Sequence, residues 1–273
     1  MTGSVLPAGA LLLFVCLSVS VAAADKSVEP LTQFVAEEAR QAVAVDDSAV
    51  YVIDNRAIGK YDKLTGKRLR QWRGEKAGPI QHLNSGVVIE GRLYSAHSNY
   101  PRQPMTSTIE IWDTETLEHI GTHSFGIYLG SATWVDFHRG HWWVVFANYG
   151  TRGGTPGRGP EWTQLVKFDG QWRRQAAWVL PPELVTRFSP YSNSGGGWGP
   201  DGSLYLTGHD EAALFRVELP AAGAALVYKG RLPAPIEGQG IAWERNAERL
   251  RLYGIRRSSR TVVAVNLRNH QTR

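Results

Sequence analysis

Residues 50–67 read VYVIDNRAIGKYDKLTGK. A bulky residue and an aromatic open the stretch, two apolar residues follow, and the polar pair Asp54 and Asn55 closes it. Length, β-branched content and polar ending make this a short strand running out to a rim. The same unit recurs as LYSAHSN at 93–99, WWVVFAN at 142–148, LYLTGHD at 204–210 and LYGIRRS at 252–258. The anchor aromatics Tyr51, Tyr94, Trp143, Tyr205 and Tyr253 stand 43, 49, 62 and 48 residues apart. A period of about 50 residues marks a repeat architecture.

Each anchor strand follows another β-rich run: AVAV at 42–45, GVVI at 86–89, ATWV at 132–135, GGWG at 196–199 and GIAW at 240–243. Short turns with Asp, Gly, Asn or Arg separate the two, as hairpins require. A third strand then ends in aromatic-Asp in three copies, Tyr61-Asp62, Trp112-Asp113 and Phe168-Asp169. A turn and a fourth strand follow. Four antiparallel strands repeated around an axis predict an all-β fold, a β-propeller of five four-stranded blades. The last copy stops after its third strand at 262–266, so LTQFVAE at 31–37 is expected to supply the missing strand and close the ring. The one helix predicted is PPELVTRF at 181–188, between blades three and four.

The chain has 273 residues, a net charge of +5, 42% hydrophobic and 20% charged residues, and one cysteine, Cys16. That composition excludes a disordered tail, a disulfide framework and a multi-span membrane protein. Residues 1–24 carry no charged side chain, hold an apolar run at 11–21, and end in the small residues Ala22 and Ala24. The run is too short for a settled membrane span and fits a signal peptide. Two domains of sequence are thus expected: a signal peptide at 1–24 and one propeller at 25–273. The second is a periplasmic or secreted, cysteine-free monomer with no membrane span after cleavage. An uncleaved anchor is the other reading of that segment.

The stretch at 50–67 resembles the strand repeats of bacterial YVTN and quinoprotein-type propellers. The size, export signal and five units are similar to small secreted propellers that include plant-type glutaminyl cyclases and propellers labelled cycloisomerases. The resemblance implies blade geometry across nearly all of the mature chain. It carries over no catalytic residue, and the docking-tryptophan repeats of quinone-cofactor propellers are absent from the sequence.

In a propeller the ends of the second strands and the lead-ins to the first strands share one face, the mouth of the central channel. That rule gathers Asn55, His97, Asn99, Asn148, Tyr149, His209, Asp210 and Arg256 with Asn193, Glu237 and Gln239. The loops at 100–107 and 149–162 are enlarged on the same face and bring Arg152. Polar residues at strand ends also serve their own turns, which is the plain reading of each taken alone. As a set they predict a site for a small anionic ligand. Glu237, His209, Asp210 and His97 are the expected acid/base groups for an isomerase-, cyclase- or lactonase-like proton transfer. Asn55, Asn99, Asn148, Tyr149, Asn193, Gln239, Arg152 and Arg256 are the expected ligand contacts. The same oxygen and nitrogen groups could hold a divalent metal, although no spacing singles out its ligands. The alternative is a non-catalytic propeller that binds a protein, glycan or envelope component. The basic residues form no long run, so nucleic acid is not expected as a partner.

Overall fold

The structure is a computed structural model that describes residues 1–3, 30–127, 129–245 and 250–267. The expected signal segment and Cys16 lie outside the described residues, apart from positions 1–3. Strand β1 (Thr32–Val35) precedes blade one, which holds β2 (Ala42–Val45), β3 (Ala49–Asp54), β4 (Ala57–Asp62) and β5 (Arg68–Arg73). Blade two is β6 (His82–Ile89), β7 (Arg92–Ser98), β8 (Ser107–Asp113) and β9 (His119–Gly126). Blade three is β10 (Ser131–His138), β11 (His141–Ala147), β12 (Gln164–Phe168) and β13 (Arg174–Val179). After helix α1 (Pro182–Phe188), blade four is β14 (Gly195–Trp198), β15 (Leu204–Thr207), β16 (Ala213–Glu218) and β17 (Val227–Pro233). Blade five is β18 (Ala242–Trp243), β19 (Leu250–Arg256) and β20 (Thr261–Leu267), completed by β1.

The chain is therefore a five-bladed β-propeller whose ring is closed by its N-terminal strand. Strand β1 pairs antiparallel with β20, from Thr32 opposite Ala264 to Val35 opposite Thr261. Radial position follows side-chain polarity. Inner strand β2 and the anchor strand β3 are almost wholly buried, whereas outer strand β5 (RLRQWR) is mostly exposed. Among the described residues no helix is long and apolar enough to cross a membrane.

The anchor aromatics explain why the repeat exists. Tyr51 packs with Leu83, Leu93 and Trp112 of blade two, and Tyr94 lies on the Val144–Phe146 surface of blade three. Trp143 meets Leu204 and Phe215 of blade four, Tyr205 meets Leu252 and Val263 of blade five, and Tyr253 meets Val43 and Val50 of blade one. Each anchor thus fills the seam to the next blade, so five copies close a ring of five seams. Burying such rings is worth about 1.5–3 kcal/mol apiece.

The aromatic-Asp endings build the turns to the outer strands. Asp62 Oδ1 accepts hydrogen bonds from the Leu64 and Thr65 amides and from Thr65 Oγ1. Asp113 does the same with Glu115 and Thr116, and Asp169 with Gln171 and Arg173. For Asp62 the Thr65 hydroxyl bond, and for Asp113 and Asp169 a backbone amide bond, leads in holding the carboxyl below its ordinary value. A carboxyl depressed in the fold stabilises it above the unfolded pKa of about 3.9 and loses that effect as pH falls through the folded value. Replacing all three with Asn is expected to lower the melting temperature at neutral pH and to leave it unchanged near pH 2. Melting curves recorded against pH check this, and parallel curves for the two proteins would refute it.

Strand lengths differ from expectation where ladders bend. Strands β6 and β10 extend beyond the expected GVVI and ATWV runs, with register shifts between Leu83 and Gly86 and between Ala132 and Trp134. Strand β18 keeps only Ala242 and Trp243, because Gly238 and Gln239 just before it turn through positive φ, 58° and 65°.

Candidate functional site at the channel mouth

Blade five and blade four meet at the mouth through a hinge of backbone. At Gly238 a Cβ would stand 2.5 Å from the carbonyl oxygens of Gly208 and His209, so the lead-in to β18 touches the end of β15 with no side chain between them. Gln239 Nε2 then donates to His209 O at 2.9 Å. The Glu237 amide donates to Ile255 O at 2.9 Å, so the same lead-in also holds the end of β19 nearby.

Four polar groups converge there. Arg257 Nη2 donates to Asp210 Oδ1 at 2.9 Å, and its Nη1 lies 3.3 Å from His209 Nε2. His209 Nδ1 is 2.7 Å from Asp210 Oδ2, an ion-pair separation without hydrogen-bond alignment. Tyr191 stacks on the imidazole, with centroids 4.1 Å apart and planes at 15°. Glu237 sits beside them with both oxygens engaged by Ser258, from Oγ to Oε1 at 2.5 Å and from the amide to Oε2 at 2.7 Å. The Ser258 hydroxyl bond chiefly, with help from the Arg257 charge, holds the Glu237 carboxyl below its ordinary value. It is a carboxylate at neutral pH.

A second aromatic group stands nearby, joined to the Tyr191 segment by the Gly150 amide donating to Pro190 O at 3.1 Å. Tyr100 lies 5.0 Å from His82 and 5.1 Å from Tyr149, ring centre to ring centre. Burial lowers the His82 pKa to about 4 and pushes the Tyr149 phenol up to about 12, so both are neutral near pH 7. The Tyr100 phenol is also raised by burial, opposed by the nearby charge of Arg152. The enlarged loops interlock above these rings: Gln103 Nε2 donates to Gly153 O at 2.8 Å, and Thr155 Oγ1 to Gln103 Oε1 at 3.2 Å.

The structure brings Glu237, His209 and Asp210 together and places His97 elsewhere. His97 is buried in the seam between blades one and two, where Nε2 accepts from the Gln81 amide and Nδ1 donates to Thr108 Oγ1. Thr108 in turn donates to Glu110, which also accepts from Thr122 and lies 2.8 Å from His119 Nε2. The expected amide contacts are occupied by the chain itself. Asn55 Oδ1 accepts from Gln41, Asn99 bridges Thr106 and Pro104, and Asn148 Nδ2 reaches Leu129 O and Trp162 O. Asn193, fully buried, accepts from Trp134 Nε1 and donates to Gly195 O and Thr207 O. Arg256 Nε turns to Pro235 O, and Arg257 is the one that reaches His209 and Asp210. Among the described residues no three His, Cys, Asp or Glu side chains converge to hold a metal ion.

Sequence reasoning passed over Tyr191 and Tyr100 and preferred Arg256 to its neighbour. The aromatic in SPYSNS at 189–194, within the lead-in to β14, was the available signal for Tyr191. For the arginines it was the two-residue period of a strand, which sends neighbours to opposite sides.

No protein-family model matches the chain, and no curated protein matches it. Among solved structures it is similar to the hydrazine synthase of Kuenenia stuttgartiensis, at 12% identity and a TM-score of 0.50, covering 83% of each chain. A luciferin-regenerating enzyme is similar at 11% identity and a TM-score of 0.49, over 85% of this chain and 77% of that one. The WD40 repeats of RRP9 give 11% identity and 0.45 over 89% and 99%. At such identities the likeness is one of propeller fold alone.

Proposed function

We propose that the chain is an exported propeller that takes a small anionic molecule at the channel mouth and works on it by proton transfer. The observation that carries this reading is the Arg257, His209 and Asp210 cluster stacked against Tyr191. A guanidinium is a fixed cation with several donors, and Arg257 spends only part of that capacity on Asp210. An imidazole beside a carboxylate is the usual equipment for moving a proton to or from a bound substrate. Arg152, near Tyr100, adds a second positive charge. The uncharged segment at 1–24, with Ala22 and Ala24 at its end, supports export.

A thermal-shift panel of small carboxylates and phosphates tests this. A member that raises the melting temperature is expected to bind ten- to hundredfold more weakly to Arg257→Gln, as loss of a charged hydrogen bond predicts. Its turnover, followed by proton NMR, is expected to vanish in His209→Gln while binding persists. A panel without a shift, or a shift indifferent to Arg257→Gln, overturns the reading.

The second reading is a binding propeller for a protein, glycan or envelope component. It is favoured by Trp162, which is half-exposed on the enlarged loop with the Arg158 guanidinium 5.3 Å from its ring centre. Shortening the 150–162 loop would then abolish partner binding and leave small-molecule shifts intact.

A further inference from the structure

Blades one and two enclose a side cavity of about 530 Å³ away from the channel axis. Trp72 and the connection at 73–80 line it from blade one, and Thr108, Glu110, His119 and Thr122 line it from blade two. The volume is that of a small-molecule pocket. Trp72 and His119 meet there because both rings pack on Trp112, with centres 5.0 and 5.1 Å from it and planes at 70° and 69°. Trp112 stands behind them, and its buried Nε1 is not part of the lining.

Glu110 is the charged group at the heart of this cavity. It is 4% exposed, and among the described residues its only ion-pair neighbours are His97 and His119. Its hydrogen bonds run one way. The Gln81 amide donates to His97 Nε2, so His97 donates from Nδ1 to Thr108 Oγ1, and the Thr108 proton goes to Glu110 Oε1 at 2.6 Å. Burial lowers the His97 pKa and keeps that imidazole neutral. Thr122 Oγ1 donates to Oε2 at 2.6 Å, and His119 Nε2 lies 2.8 Å from the same oxygen. With His119 neutral, three donors fix the carboxylate and no positive charge cancels it. A carboxylate taken out of water without a counter-charge is costly to the fold.

The rest of the lining supplies no counter-charge. Arg73 turns away to Glu37, with Nη2 3.2 Å from Oε1. The Gly78 carbonyl is taken by the Gln81 side chain, and Glu75 adds a second carboxylate to the lining. The Trp72 indole and the Thr106 hydroxyl are neutral donors. The His119 side chain is 31% exposed, and a neutral imidazole that gives Nε2–H to Glu110 keeps Nδ1 as an acceptor, which has no partner among the described residues. We propose that the side cavity binds an organic cation, a protonated amine on an apolar body. Its ammonium donates to His119 Nδ1 beside Glu110, and its body lies against Trp72 and Pro79. The site shares no residue with the Arg257, His209 and Asp210 cluster and does not depend on the function proposed there.

Benzylamine, its uncharged counterpart benzyl alcohol and its anionic counterpart benzoate, each titrated at pH 8 against the imidazole C–H resonances, test the proposal. At that pH an ordinary imidazole is neutral and the amine is still protonated. His119→Gln assigns the His119 signal by loss. Benzylamine is expected to move this signal at millimolar concentration. Benzyl alcohol is expected to bind at least tenfold more weakly, as for a lost hydrogen bond to a charged group, and benzoate to leave the signal still. By calorimetry, Glu110→Gln, which removes the charge and keeps the shape, is expected to weaken benzylamine binding tenfold or more, and His119→Gln likewise. If the His119 signal stays still with benzylamine, or moves as readily with benzyl alcohol or benzoate, the proposal is wrong. It is equally wrong if His119→Gln binds benzylamine as the unaltered protein does. His119 is exposed, so that variant reports even if Glu110→Gln does not fold.

Discussion

Glu38→Ala is expected to lower the melting temperature by roughly 3–12 °C, because Glu38 holds the seam through which the ring closes. The residue follows β1 and is 1% exposed, yet it carries a carboxylate. Its Oε2 accepts from Tyr61 Oη at 2.6 Å, and its Oε1 from Gln71 Nε2 at 2.5 Å and Arg68 Nη1 at 3.5 Å. Blade one thus grips the segment that completes blade five. Alanine would leave the Tyr61 hydroxyl buried with no acceptor and release the exposed Gln71 and Arg68 side chains, and losing hydrogen bonds to a charged group costs about 1.5–3 kcal/mol. For a domain of this size each kcal/mol moves the midpoint by about 2–4 °C. Tyr61→Phe removes one donor and keeps the ring that packs 5.4 Å from Phe34, so its effect should be clearly smaller. Calorimetry of the two variants checks the order. Equal losses would mean that the Tyr61–Glu38 hydrogen bond alone carries the carboxylate's effect and that Gln71 and Arg68 add nothing.

The propeller was legible because its repeat is a packing device. Tyr51, Trp143 and Tyr205 each fill an equivalent seam, so the same residue type returns at nearly the same interval. The closing strand was legible for the complementary reason, since Leu250–Leu267 supplies two strands and the inner one before it supplies a third. The site was less legible. A polar residue at a strand end can turn to a ligand or to its own backbone, and sequence pattern does not distinguish them. Asn99, Asn148 and Asn193 turned to backbone, where buried carbonyls and amides need partners. His97 was assigned to the mouth by its place in LYSAHSN, but the pleat of β7 points it into the seam with Thr108 and Glu110. The side cavity went unread because Trp72 comes from blade one and Glu110 and His119 from blade two, far apart in sequence. Only the seam brings them together.

Gly195→Ala is expected to be strongly destabilising. Gly195 opens β14 where the inner strands of blades four and five run closest. An added Cβ would lie 2.3 Å from Gln239 O, 2.7 Å from Gly240 Cα and 2.7 Å from Thr207 Oγ1. Two of those three atoms are backbone, so no rotamer change makes room. Overpacking of a core costs about 1–3 kcal/mol where side chains can shift. Here the expected cost is at the top of that range, about 3 kcal/mol, which lowers the melting temperature by roughly 6–12 °C. Gly170→Ala is the control: it stands in a turn with nothing within 4 Å of the added atom, and its effect should stay within about 0.5 kcal/mol. The damage should also reach the mouth. Thr207 Oγ1 donates to Gln239 O at 2.6 Å, and Gln239 Nε2 positions His209 through its carbonyl. A displaced Gln239 carries His209 away from Arg257 and Asp210. Anion-induced stabilisation that depends on Arg257 should therefore fall in Gly195→Ala measured well below its melting temperature. A variant that loses stability but keeps that response in full would show that the blade-four and blade-five seam and the mouth are mechanically independent.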